Sequence, residues 1–228
     1  LYAELDTALA PFRGSPVVIR LLDAGGDKMV PALKMTREDN PFLGLRGVRL
    51  LLEHPELLAG QLRAFLRLSK NHRLEILIPM VSDLSDFTRV KQVLQTCAGE
   101  LGIKSLPPLG AMIETPAAAL LTAEICEEAD FLSIGSNDLT QYIMAAERGN
   151  SRVSRYYQDT RPAVLRMIAQ VRQTARQSQT PVTLCGSLAG NPDSTPQLLE
   201  LGLDSLSVTP PMIPAVKERI RSCTLTKG

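Results

Sequence analysis

Neither a run of basic residues nor an excess of either charge marks this sequence. Twenty-five Lys and Arg stand against 24 Asp and Glu, a net charge of +1. That balance excludes a nucleic-acid partner recognised through bulk charge. Arg13, Arg20, Arg46, Arg49, Arg148 and Arg161 are scattered, so an anion they bind is a small one. No apolar stretch approaches the roughly 18 to 20 residues needed to cross a bilayer, which argues against membrane insertion. Leu1-Tyr-Ala-Glu-Leu-Asp6 lacks the charged and apolar regions of a signal peptide. It also lacks an initiator Met and reads as mid-helix, so a piece of a longer protein is expected. Histidine is scarce: His54 and His72 are the only two, both in polar settings that predict exposed surface positions. Cys97, Cys126, Cys185 and Cys223 show no C-x-x-C or metal-ligand spacing, so a thiolate and imidazole zinc site has little to draw on. Reduced thiols in the cytoplasm are the simplest reading. No repeat, low-complexity tract or Gly/Ser linker divides the chain, and one domain over residues 1–228 is expected.

What is present is an alternation. Apolar runs at 17–22, 75–79, 110–113, 131–134, 182–184 and 205–208 read as strands. Segment 47–50 reads as a further strand or as the opening of a helix. Helical patterns lie between them, the signature of βα units and a parallel sheet. Phe87, Val90, Leu94, Cys97 and Leu101 follow a 3-4-3-4 spacing that places Cys97 in the core. Thr115-Pro116 supplies an N-cap and a proline at N1 for a helix through about Glu128. Pro162, Pro196 and Pro214 predict three more helix starts.

Three of the strands stop at polar or reactive side chains: one at Glu114, one at Asn137-Asp138 and one at Cys185. In a closed α/β barrel the carboxyl ends of the strands share one rim, where such folds keep their chemistry. Glu114 and Asp138 are hard oxygen donors of the kind Mg²⁺ accepts together with water and substrate oxygens, or else helix caps, a role for which Thr115 competes. Cys185 is a nucleophile or proton donor, or else a buried structural thiol. Asp23-Ala-Gly-Gly-Asp-Lys28 is either a ligand-approach loop or a plain βα turn. Arg20, inside an apolar strand, must be paired or bind an anion, because an unpaired buried charge is too costly. Arg46, between Gly44 and Gly47, suits anion recognition, and Arg49 reads as solvated surface.

Taken together, these segments resemble the phosphoenolpyruvate (PEP)-binding domain of the PEP-utilising enzymes. Within that family the chain is similar to enzyme I of the bacterial PEP:sugar phosphotransferase system and its fused multiphosphoryl-transfer relatives. The resemblance runs from Val17-Val-Ile-Arg20 to Ile213-Pro214. It includes Asn40-Pro-Phe-Leu-Gly44, Gln61-Leu-Arg-Ala64, Ile78-Pro-Met80, Glu114-Thr-Pro-Ala-Ala118, Ser133-Ile-Gly-Ser-Asn-Asp-Leu-Thr-Gln-Tyr142, Arg148-Gly-Asn150 and Cys185-Gly-Ser-Leu-Ala-Gly190.

The resemblance implies a (β/α)8 TIM barrel of the phosphoenolpyruvate/pyruvate type, here expected to lack its first strand. It implies a PEP-protein phosphotransferase that binds PEP with Mg²⁺ and passes the phosphoryl group to a histidine on a separate domain. Glu114 and Asp138 would ligate Mg²⁺. Arg20, Arg46 and Arg148 would grip phosphate and carboxylate, and Asn137 would hydrogen-bond phosphate. Cys185 would protonate the enolate carbon. A downstream HPr-like carrier, a homodimer and a cytoplasmic setting are implied as well. Two positions depart from the family: Ser187 stands where Cys-Gly-Glu is usual, and Glu147 where Asp precedes Arg-Gly-Asn. The alternatives are the PEP-binding domain of pyruvate,phosphate dikinase or PEP synthase, a Mg²⁺-dependent carbon–carbon lyase, and a dimerisation scaffold with weak catalysis.

Overall fold

The sequence supplies short apolar runs at regular intervals, of the kind that form strands. In the computed structural model, which describes residues 1–25 and 38–224, they form six strands: β1 (Pro16–Arg20), β2 (Arg73–Ile78), β3 (Leu109–Ile113), β4 (Phe131–Gly135), β5 (Val182–Cys185) and β6 (Ser205–Ser207). The helices are α1 (Tyr2–Leu9), α2 (Val48–Glu53), α3 (Pro55–Leu68), α4 (Leu84–Glu100), α5 (Pro116–Leu120), α6 (Thr122–Glu128), α7 (Ser136–Met144), α8 (Pro162–Gln177), α9 (Ser187–Gly190), α10 (Thr195–Glu200) and α11 (Ile213–Ser222). Neighbours in the chain pair in parallel, β1 with β2, β2 with β3, β4 with β5 and β5 with β6. The fold is therefore α/β with six parallel strands among the described residues, against the eight of a closed barrel. Segment 47–50 opens α2 and is no strand. Contacts gather the chain into two compact units, Leu1–Ala111 and Met112–Gly228.

In the first unit β1 pairs with β2, Pro16 opposite Arg73 through Arg20 opposite Leu77, and β2 pairs with the start of β3. Helices α3 and α4 pack together through Leu58, Leu62 and Phe65 on one side and Phe87, Val90, Leu94 and Cys97 on the other, all buried. Cys97 thus lies in the core as the spacing predicts, and burial pushes its thiol pKa up. A capping box opens α4: the Asp83 carboxylate accepts from Ser85 N–H at 2.8 Å, and Asp86 accepts from Asp83 N–H at 3.1 Å. His72 is not the surface residue expected from its polar neighbours. It is buried, with Nε2 2.8 Å from Asp6 on α1.

In the second unit β4 pairs with β5 and β5 with β6. The register sets Gly135, Cys185 and Ser207 side by side at the carboxyl ends. Helix α8 packs against α5, α6 and α7 through buried Val164, Ile168, Val171 and Ala175. The helix expected from Thr115 to Glu128 is broken at Leu121. The Thr122 hydroxyl donates to Ala119 O at 2.8 Å and Ala118 O at 3.3 Å, the back-bonding by which threonine bends helices. β6 is short, and its outer residues Ser205 and Ser207 are exposed, with the Ser205 and Thr183 hydroxyls 2.6 Å apart.

Candidate active site

Strands β3, β4 and β5 deliver Glu114, Asn137-Asp138 and Cys185 to the carboxyl ends of the second unit. Thr115 caps α5, its hydroxyl accepting from Ala118 N–H at 3.1 Å. Glu114 is left as a buried carboxylate, 1% exposed, lying directly over Gly135. A Cβ at Gly135 would come within 2.7 Å of Glu114 Oε2, so the close approach of the two strand ends requires glycine there. Helix α7 begins at the next residue and carries Asn137 and Asp138 in its first turn, where backbone N–H groups and the helix dipole favour anions.

Asn137 is held from several sides. Its backbone carbonyl accepts from the Tyr157 hydroxyl at 3.1 Å. Its side-chain oxygen accepts from Ser187 N–H at 2.9 Å and lies 2.7 Å from Ser187 Oγ. Ser187 Oγ also lies 2.8 Å from Asp159 Oδ2. Arg148 is exposed, and its backbone N–H donates to the buried Gln141 Oε1 at 2.9 Å, which ties the Arg148 loop to α7. Tyr157 stands within the electrostatic reach of the whole group. Burial pushes its hydroxyl pKa up, the Arg148 charge opposes that rise, and Asp159 and Asp138 add to it.

Cys185, half-buried, donates its thiol to Ile134 O at 3.3 Å and accepts from the Ser133 hydroxyl at 3.7 Å. Gly186 follows with φ +97°, a left-handed conformation that glycine alone adopts readily, and a Cβ there would press on Ser136 and Asn137. A cavity of about 540 Å³ opens here, lined by Asn137, Cys185, Gly186, Ser187, Ser207 and Thr209 among others.

In the first unit, Arg46 and Arg20 converge on one carboxylate. Arg46 Nη2 lies 3.0 Å from Asp23 Oδ2, with both side chains about 5% exposed (6% and 4%). Arg20 Nη1 lies 3.7 Å from the same oxygen and is 42% exposed. Arg20, expected as a buried charge, is thus partly exposed, and it is Arg46 that is buried against Asp23, a residue the sequence offered only as part of a loop. Arg49 is more than a solvated side chain: it donates to Leu43 O at 3.0 Å and to Ser82 Oγ at 3.1 Å, bracing the loop it follows. Gly26, Asp27 and Lys28 of the Asp23–Lys28 loop lie outside the described residues.

The donor chemistry at Glu114 and Asp138 fits Mg²⁺. No cluster of three or more His, Cys, Asp or Glu is assembled among the described residues. Mg²⁺ at phosphoryl sites takes one or two carboxylates and completes its shell with water and phosphate oxygens. The sequence did not single out Tyr157, Asp159, Ser187 or Gln141 as parts of this site. The available signals were Gln141, inside the Ser133–Tyr142 segment, and Ser187, where the chain departs from the family it resembles.

A family model described as PEP-utilising enzyme, PEP-binding domain, matches residues 1–225. The chain is 44% identical over 227 residues to a multiphosphoryl transfer protein of Xanthomonas campestris pv. campestris, covering 98% of this chain and 27% of that protein. It is 43% identical over 217 residues to a phosphoenolpyruvate-protein phosphotransferase of Geobacillus stearothermophilus, covering 91% of this chain and 37% of that protein. The chain therefore spans well under half the length of these relatives. Among solved structures, Haloferax volcanii malate synthase in its magnesium/glyoxylate complex superposes with a TM-score of 0.65 at 12% identity, covering 100% of this chain and 62% of that one. That likeness concerns the α/β fold alone.

Proposed function

Because the chain belongs to the PEP-utilising enzymes, as their PEP-binding domain, we propose that it is the PEP-handling part of a PEP-protein phosphotransferase. In this reading it binds PEP with Mg²⁺, and the phosphoryl group passes to a histidine on a separate domain, with release of pyruvate, as the first step of sugar uptake. The observation that carries the reading is the gathering of Glu114, Asn137, Asp138 and Cys185 at the ends of β3, β4 and β5 in a chain that matches the family over residues 1–225.

Glu114 and Asp138 would hold the Mg²⁺, which when bound neutralises charge on the phosphate oxygens. Asn137 donates to the phosphate, and Arg148, on a loop anchored by Gln141, adds a positive charge that favours the anion. Arg20 and Arg46 are assigned to the anionic groups of PEP by family resemblance. As the P–O bond to the enol oxygen breaks, a P–N bond forms on the acceptor histidine and an enolate of pyruvate is left. The Cys185 S–H bond then breaks and a C–H bond forms at the enolate methylene, leaving a thiolate toward which the Ser133 hydroxyl already points. A single-domain barrel of the (β/α)8 type that lacks its first strand in this chain, a homodimer, an HPr-like carrier and a cytoplasmic location belong to the same proposal. The last is supported by four cysteines that form no disulfide.

Calorimetry of PEP binding with and without Mg²⁺ tests the site. The parent chain binds PEP in a Mg²⁺-dependent manner, and Asp138→Ala loses that dependence. Equal binding by parent and variant would overturn the metal assignment. Labelled PEP supplied with a separately produced phosphoacceptor domain tests the reaction. Label on that domain's histidine is the expected result, and an unlabelled histidine beside a PEP-saturated chain refutes phosphoryl transfer.

A further inference from the structure

A primary amide can rotate by 180° about its last bond and exchange oxygen for NH2 with almost no change of shape, so only its hydrogen-bond partners decide which atom faces a ligand. At Asn137 that decision is made by Ser187. The Ser187 backbone N–H can only donate, and it meets the amide at 2.9 Å, so the amide oxygen must face it. The Ser187 hydroxyl sits on the same oxygen at 2.7 Å. Asp159 Oδ2, 2.8 Å from Ser187 Oγ, holds that hydroxyl in place. The single hydroxyl hydrogen is shared between these two acceptors, and the Ser187 N–H and hydroxyl together draw the amide oxygen to the Ser187 side.

Two further contacts make this a built arrangement. Tyr157, two residues before Asp159, donates its hydroxyl to the Asn137 backbone carbonyl at 3.1 Å, so one short loop holds the Asn137 main chain directly and its side chain through Ser187. Gly186, with φ +97°, aims Ser187 N–H at the amide and leaves no room for a Cβ beside Asn137 Oδ1, 3.0 Å away. Asn137 and Ser187 both line the cavity of about 540 Å³ that also contains Cys185.

We propose that Ser187, held by Asp159, is a positioning residue that fixes the rotation of the Asn137 amide, keeping its NH2 group turned away from Ser187 to donate to the phosphate of PEP. The proposal rests on the reading that this phosphate meets Asn137. Ser187 acts through Asn137.

The test combines calorimetry of PEP binding in Mg²⁺ with the nitrogen-15 side-chain amide resonance of Asn137. Ser187→Ala removes one of the two donors and weakens PEP binding about two- to tenfold. Ser187→Thr keeps the hydroxyl and restores parental affinity. Ser187→Pro, a residue tolerated at a first helical position, removes both donors and weakens binding further. In an Asn137→Ala background Ser187→Ala has no additional effect. Without PEP, the Asn137 amide resonance shifts in Ser187→Ala and returns in Ser187→Thr. An amide resonance unmoved by Ser187→Ala, or losses from Ser187→Ala and Asn137→Ala that simply add, would overturn the proposal. Asn137→Ala binding PEP as well as the parent would instead refute the phosphate contact, while the resonance alone still decides whether Ser187 orients the amide.

Discussion

Gly135→Ala should disable metal binding while leaving the fold standing. The added Cβ would sit 2.7 Å from Glu114 Oε2 and 2.8 Å from Glu114 Cβ, with Met112 Sδ at 3.3 Å, where ordinary contact begins at 3.4 Å. Glu114 must therefore retreat by at least about 0.6 Å, and because it is 1% exposed it cannot swing into solvent. Overpacking of this kind costs about 1 to 3 kcal/mol. At about 2 to 4 °C per kcal/mol for a chain of this size, the melting temperature falls by about 2 to 12 °C. Mg²⁺ holds its oxygens at about 2.0 to 2.1 Å in near-ideal octahedral geometry, so a displacement of several tenths of an ångström is enough to lose the ligand. Thermal melting by circular dichroism reads the first effect. Calorimetric titration of PEP and Mg²⁺, run well below the lowered melting temperature, reads the second. Gly99→Ala, at an exposed site on α4 where a Cβ would meet nothing within 4 Å, serves as the control and should be neutral or slightly stabilising. A Gly135→Ala chain that melts lower yet binds Mg²⁺ and PEP like the parent would show that Glu114 is no ligand. A chain that melts like the parent would refute the packing argument itself.

Thr115→Ala removes the cap of α5 and should cost about 1 kcal/mol in urea unfolding, with a loss of Mg²⁺-dependent PEP affinity because Glu114 precedes the freed turn. Tyr157 carries a pH prediction. Its folded-state pKa is raised, so the stability it contributes is fully present below the unfolded value near 10.0 and is lost as pH rises through the folded value. The stability gap between parent and Tyr157→Phe, measured from pH 8 to 11, should therefore narrow above about pH 10, and a constant gap would refute the shift. Among the thiols, Cys185 opens on a cavity, whereas Cys97 is buried with a raised pKa. Mass-spectrometric mapping after brief alkylation at pH 8 should find label on Cys185 well before Cys97.

β3 was legible because burial on both faces leaves no choice but apolar residues, and all five of its positions are buried, whereas β1, with exposed alternate positions, was legible from its β-branched run. The strand ends were legible for the complementary reason: Glu114, Asn137, Asp138 and Cys185 interrupt those runs with groups that a core would exclude. The break at Leu121 was not, since it depends on whether the Thr122 hydroxyl turns back to Ala119 O or outward. His72 was misread because its polar neighbours say nothing of Asp6, 66 residues earlier in the chain. The cradle of Asn137 was hidden in the same way. Its donors come from 20 and 50 residues further on, and no periodicity links Tyr157, Asp159 and Ser187. The alternation of apolar runs reports burial. It carries no information on which polar groups meet once loops close.

The brevity of β6 has a consequence for how this chain behaves in a crowd of copies. Among the described residues β6 pairs on one side only, with β5, and such a margin is where a foreign strand could add. Here it offers three residues, two of them serines, preceded by Asp204 and followed within a few positions by Pro210 and Pro211, which have no N–H to give. A second chain docking along β6 would gain few hydrogen bonds before meeting the Asp204–Arg172 ion pair at one end and prolines at the other. The margin of the second unit is thereby a poor template for strand addition, so an association between copies would use another face.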